Sequence, residues 1–241
     1  MIILARLIVS FIRHGEYQQP QDVPSAHLPY PLTSTGKKQA EQAAESLEDS
    51  AKINNWHIHP VIDSSLQLRG WQTASILASR LQQHTDEKVC VESFEQLAER
   101  CLGSAANLTV EQIEAVVAAD PRYEPLPTGW KADSYFRLPL QGAESLMQAG
   151  ERVMRHVTDR ADSLAQVITA DTLKIFVGHG AAFRHAAVHM GLMTAEQAVA
   201  LSMYHCTPLY FERLEDQPDN KQWRHIAGDW KIRKAKGVDI D

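Results

Sequence analysis

The chain has 241 residues, 44% hydrophobic and 22% charged, with a formal net charge of −6. That length fits one large domain with an insertion, and its core needs no disulfide or metal as a staple. The acidic balance excludes non-specific nucleic-acid binding, which needs a basic face, so any basic site must be local.

The N-terminal stretch MIILARLIVSF superficially resembles a signal peptide. Arg6 breaks the apolar run, no small-residue cleavage site follows, and the run leads directly into Arg13 and His14, so a buried strand is expected instead. Arg6 to Ile12 is β-branched and apolar at almost every position, which suits a strand covered on both faces. Tyr17 to Leu32 holds four prolines and reads as a long loop. After Thr33, the positions Ala40, Ala43, Ala44 and Leu47 share one helical face. His59 to Ser65 reads as a second strand, followed by a helix carrying Ala74, Leu77, Ala78 and Leu81 on one side. KVCVES is a third strand.

Thr109 with Gln112, and Thr194 with Gln197, have capping-box spacing and predict two helix starts. Pro121 to Gly142, rich in proline, glycine and aromatics, reads as the end of a covering insertion spanning about 103–141. Leu146, Val153, Val157, Ala161 and Leu164 predict a long amphipathic helix. LKIFVG is a further buried strand, with a helix from about Ala181, and PLYFERL and QWRHIAG are late strands. Strands and helices alternate, so the expected class is α/β: a three-layer α/β/α sandwich on a mostly parallel sheet, one domain over 1–241 with a lid. No apolar run is long enough to span a bilayer. Cys90, Cys101 and Cys206 are odd in number and lack metal spacing, which points to a reducing, cytoplasmic setting.

Two histidines each follow a buried strand and precede a glycine: His14 with Gly15, and His179 with Gly180. In open α/β sheets ligands bind beyond the carboxyl ends of strands, where glycine lets the backbone approach closely. Arg13 and Arg69 reach the same edge, and two arginines beside two histidines imply a dianion such as phosphate. Glu99 follows the third strand there, and a carboxyl beside phosphate is a plausible general acid. These parts describe attack on phosphorus by neutral His14, charge stabilisation by Arg13, Arg69 and His179, and protonation of the leaving oxygen by Glu99.

The segments RHGE, LTSTGKKQA, SSLQLRGWQTA, LAER, GAESL and VGHG occur in the order found in the histidine phosphatase superfamily, whose fold is the phosphoglycerate mutase-like one. The resemblance runs from about Leu7 to Arg184. It implies a phosphohistidine enzyme with His14 as nucleophile, Arg13, Arg69 and His179 completing the phosphate pocket, Glu99 as proton donor, and no metal or other cofactor. The implied substrate is a small phosphorylated metabolite, and monomer and homodimer both remain open.

Departures from the mutases favour hydrolysis. The loop YQQPQDVPSAHLPY lacks an asparagine that mutases carry after RHGE, and Ala181 stands where they place another. SYFRLPLQGAES resembles instead the segment before the GES motif of fructose-2,6-bisphosphatase, which makes Arg137 a candidate substrate contact. A mutase-type isomerase and a non-catalytic phospho-ligand-binding protein are the rivals; a proton donor has no use in the latter. Glu144, Ser145 and Arg184 read as structural, while Arg100, Arg122, Lys131 and Arg137 are either a substrate-reading set or a solvated face. His185 and His189 have helical spacing that suits a metal but no third ligand, so they read as surface or core histidines, as do His57 and His59.

Overall fold

The computed structural model describes residues 5–214, 217 and 222–233. Its elements, in chain order, are β1 (Leu7–Arg13), α1 (Ser34–Asn54), β2 (His57–Ile58), β3 (Val61–Ser65), α2 (Leu68–Leu81), β4 (Cys90–Phe94), α3 (Val110–Ala119), α4 (Leu146–Ala165), β5 (Thr172–Gly178), α5 (Gly180–His189), α6 (Ala195–Ala200), β6 (Leu201–Ser202), β7 (Leu209–Arg213), β8 (Trp223–Ala227) and β9 (Lys231–Ile232). The expected QWRHIAG strand is thus β8, bounded by Trp223 and Ala227.

Among the described residues the main sheet runs β4-β3-β5-β1-β7-β8, with the short β2 also pairing β5. The β4–β3, β3–β5 and β5–β1 pairs are parallel, and β7 and β8 add an antiparallel edge. Alternation along β1 explains the layers. Ile8 and Ile12 pack with Ala40, Ala43 and Leu47 of α1 and Ala74 and Leu77 of α2. Leu7, Val9 and Phe11 face Val153 and Val157 of α4 and Phe183 and Ala186 of α5. Both faces are therefore apolar, and this is why β1 reads as a continuous hydrophobic run. The Phe11 and Phe183 rings stack with centroids 4.4 Å apart.

The caps fall where the spacing predicts. Thr109 and Thr194 close capping boxes with Gln112 and Gln197, and Ser145 does the same with Gln148 at the start of α4. The segment 103–141 gathers its own apolar cluster of Ala105, Ile113, Trp130 and Leu138, joined by Ala26 from the loop after β1. A bridge between Leu102 and Ala143 closes its base. Among the described residues, no helix is long and apolar enough to cross a membrane.

A polar island lies in this core. Asp63 of β3 is fully buried and accepts hydrogen bonds from Lys174, His156 and Arg160. Burial alone would raise its carboxyl, yet these three donors hold it below the ordinary carboxylate value.

Candidate active site

Register aligns the strand ends that carry the site. Arg13 pairs with Gly178 across β1 and β5, and Ser64 with Val177 across β3 and β5. His14, Ser65 and His179 therefore emerge side by side at the carboxyl edge of three parallel strands. The His14 and His179 ring centroids are 5.0 Å apart.

His14 is 1% exposed. Its Nδ1 donates to Gly15 O at 2.8 Å, and its Nε2 accepts from Arg69 Nε at 3.1 Å. Burial first, then the positive charges of Arg69 and Arg13, push its pKa well below the usual histidine value, so the ring is neutral with its lone pair on Nε2. Arg69 is fully buried at the first turn of α2, and its Nη atoms donate to the carbonyls of Leu28 and Ala26. Its guanidinium lies over the Tyr17 ring at 4.6 Å, and Tyr17 in turn sits edge-on to His14.

His179 is the N-cap of α5 and is also buried and held neutral, by burial first and then by Arg69, His27 and Arg13. Ser65 Oγ accepts from Gln67 N and lies 2.9 Å from His179 Nε2, to which its hydroxyl can donate. In the tautomer that accepts from Ser65, Nδ1 carries the ring proton, and among the described residues it is a buried group with no hydrogen-bond partner. A buried orphan donor beside a neutral lone pair suits an anion. Arg13 anchors to Met203 O and passes 3.2 Å from where a Cβ on Gly180 would sit, so a side chain there would press on the arginine.

Glu99 follows the 3₁₀ turn after β4 and is 5% exposed. Its Oε1 accepts from the backbone of Arg100 and Ala182, and Oε2 from Ala181 at a longer 3.3 Å. The carboxyl is thus set against the start of α5, one turn from His179, and bonds the backbone of Arg100 rather than its guanidinium.

The other expectations divide. Gly15 spends its N–H on Thr73 Oγ1 and its carbonyl on His14, so both of its backbone groups are engaged within the protein and it holds the His14 ring. Arg137 is exposed and is not among the residues lining the cavity beside Glu99. Arg122 pairs with Asp120 in the open, whereas Arg100 and Lys131 line that cavity. Glu144 bonds Arg152 and the Cys101 N–H, a structural role. His185 is bonded to Ser134 and Ala181, and His189 to Met147 O. His57 lies 3.6 Å from Glu87, and His59 turns to the backbone of Val61.

Sequence reasoning missed His205, whose Nδ1 donates to His14 O at 2.7 Å, and His27, whose Nε2 donates to Glu99 O. It also missed Tyr17, Ser65, Gln67 and Thr73. Each is a single residue whose partner lies far away in sequence or whose role depends on side-chain direction. Only the motif SSLQLRGWQTA flagged the neighbourhood of the last three.

The model of the histidine phosphatase superfamily (branch 1) matches residues 9–225. The chain belongs to that superfamily. Histidine phosphatases of known structure share the fold. The mycobacterial glucosyl-3-phosphoglycerate phosphatase has a TM-score of 0.69 at 22% identity, covering 96% of this chain and 100% of its own. A putative α-ribazole-5'-P phosphatase from Escherichia coli gives 0.65 at 19%, covering 96% and 100%. A phosphoserine phosphatase mutant from Entamoeba histolytica, in complex with phosphoserine, gives 0.62 at 16%, covering 87% and 92%. No curated protein matches the chain. Membership of the superfamily places this histidine phosphatase among the phosphoric monoester hydrolases.

Proposed function

We propose that the protein hydrolyses a small phosphomonoester through a phosphohistidine at His14. The observation that supports this best is the state of His14: buried, neutral, with Nδ1 held by Gly15 O and Nε2 left as the nucleophilic lone pair. As substrate enters, Arg69 Nε exchanges His14 Nε2 for a phosphoryl oxygen, while Arg13 and His179 Nδ1–H meet the remaining oxygens. The Nε2–P bond forms as the ester P–O bond breaks, and Glu99 gives its proton to the leaving alkoxide. Glu99 then takes a proton from water, whose oxygen attacks phosphorus and releases inorganic phosphate from His14. Such acid–base help is worth roughly 100 to 10,000-fold.

No step calls on a metal ion, because two guanidiniums and a histidine N–H supply the positive field. The three unbridged cysteines suit a reducing, cytoplasmic setting. The test is acid-labile, base-stable labelling of the protein by radioactive substrate after denaturing quench. His14→Ala should lose both label and turnover, and full activity in that variant overturns the mechanism. Activity should also survive exhaustive chelation.

A further inference from the structure

Glu99, Ala181 and His185 share the wall of a cavity of about 180 Å³. Along that wall a chain of hydrogen bonds runs from the segment 103–141 to the Glu99 carboxyl. It begins at Ser134, which is 5% exposed although its neighbours Asp133 and Tyr135 face solvent. The Ser134 carbonyl accepts from Met147 N at the first turn of α4, and its hydroxyl lies 3.0 Å from His185 Nε2. His185 is fully buried on α5, and its Nδ1 lies 2.8 Å from Ala181 O.

The proton positions follow from the ends of the chain. A carbonyl oxygen only accepts, so His185 Nδ1 carries the ring proton. Burial first, then Arg184, Arg100 and Arg233, push the ring down to about 4, against its bond to Ala181 O, so near neutral pH it holds one proton. Nε2 is therefore a lone pair, and the Ser134 hydroxyl donates to it. The carbonyl of Ala181 and the N–H of Ala182 belong to one peptide plane. That N–H donates to Glu99 Oε1 at 3.1 Å. Every bond thus points the same way, from Ser134 to His185 to the Ala181–Ala182 peptide to Glu99, and donors in series polarise one another. The middle of the chain has no room to shift. A Cβ on Gly150 of α4 would sit 2.4 Å from the His185 carbonyl carbon, so the two helices meet closely there.

We propose that His185 is a positioning residue for Glu99, tying the carboxyl to the docked segment 103–141 through Ser134. The inference rests on the acid–base role of Glu99 in the phosphatase reading and adds what holds that group. His185 touches no reacting atom; it acts through the peptide that Glu99 bonds.

The test uses the full chain and two readouts. The first is the amide proton resonance of Ala182 in isotope-labelled protein, which needs no turnover. His185→Leu fills the space without a donor and should move that resonance upfield, the direction of a weakened hydrogen bond. His185→Asn places an amide N–H near the position of Nδ1 and should restore it. The second is kcat/KM for phenyl phosphate against nitrophenyl phosphate, because phenolate is the more basic leaving group and draws more on the acid. His185→Leu should lower the first about tenfold and the second far less, with most of the loss recovered in His185→Asn. A loosened fold would lower both alike. Ser134→Ala cuts only the link to the segment; it should shift the Ala182 resonance the same way by less, and add nothing to His185→Leu. An unmoved Ala182 resonance in His185→Leu overturns the proposal, as do equal losses on both esters where Glu99→Gln discriminates between them. If His185→Leu does not fold, an unmoved resonance in Ser134→Ala overturns it in its place. If Glu99→Gln does not discriminate, or the unaltered protein hydrolyses neither ester, the phosphatase reading fails on its own and the Ala182 resonance alone decides the proposal.

Discussion

Arg69 donates from Nε to His14 Nε2 at 3.1 Å while both of its Nη atoms are tied to the carbonyls of Leu28 and Ala26. The guanidinium is therefore fixed before any ligand arrives, and it polarises the nitrogen proposed as the nucleophile. A preset donor costs no reorganisation during the reaction.

Lysine at this position keeps the charge and loses the fork. Arg69→Lys should lower kcat/KM by roughly 100-fold or more, the scale of losing one preset donor at a developing charge. It should also lower stability by about 1–3 kcal/mol, since the two loop carbonyls lose their buried partner. Steady-state kinetics and thermal melting check both; wild-type kcat/KM in a folded Arg69→Lys protein would show that charge alone suffices.

Glu99→Gln separates acid catalysis from positioning. An amide oxygen can still accept from Arg100 and Ala182, so the local backbone should hold. An alkyl ester leaves as a basic alkoxide and needs the proton, while nitrophenyl phosphate leaves as a stable phenolate. The substitution should cost roughly 100-fold or more in kcat/KM for alkyl esters, and much less for nitrophenyl phosphate. Equal losses for both would assign Glu99 a positioning role at the start of α5.

The backbone exit from β1 lies against the first turn of α1. A Cβ on Gly36 would sit 1.9 Å from Glu16 O, and one on Gly15 would sit 2.5 Å from Gly36 O. Both obstacles are backbone, so neither can swing aside. Gly36→Ala should displace the His14–Glu16 segment, costing roughly 1–3 kcal/mol of stability and at least tenfold in kcat/KM, since small misplacements of a nucleophile are costly. A crystal structure of the variant with His14 unmoved, together with full activity, would refute it.

Acid should destabilise the protein through its buried histidines. His14 and His179 are held well below 6.5, and His185 is pushed down to about 4, chiefly by burial in each case. In the unfolded chain each takes up a proton near 6.5, so below that pH the unfolded state binds protons the folded state refuses. Stability from these groups is complete above about 6.5 and falls as pH drops toward the folded values. Melting temperature should decline from pH 6.5 to 4, and His185→Gln should flatten part of that slope. A parallel decline in the variant would remove His185 from the account.

The elements and most of the reaction centre were legible in the sequence because they are written locally. Apolar runs of five to seven residues announce strands that are covered on both faces, and Thr109 and Thr194 announce helices because a cap bonds its own chain three residues on. His14 and His179 were legible because each ends such a strand, and parallel strands deliver their ends to one edge. Register and side-chain direction were not. Whether Ser65 meets His179, whether His205 anchors His14, and which of Arg100, Arg122, Lys131 and Arg137 share a cavity depend on how the sheet twists and where loops cross it. Arg137 and Lys131 are six residues apart with the same charge, yet one faces solvent and the other lines the hollow beside Glu99. The sequence by itself determined that His14 and His179 leave the ends of buried strands, with Arg13 beside the first, because backbone periodicity and chain order suffice to place them. The tertiary structure alone decided the hydrogen-bond states of those groups and the company of the distant cations, because each is a contact between segments that nothing in the local sequence joins.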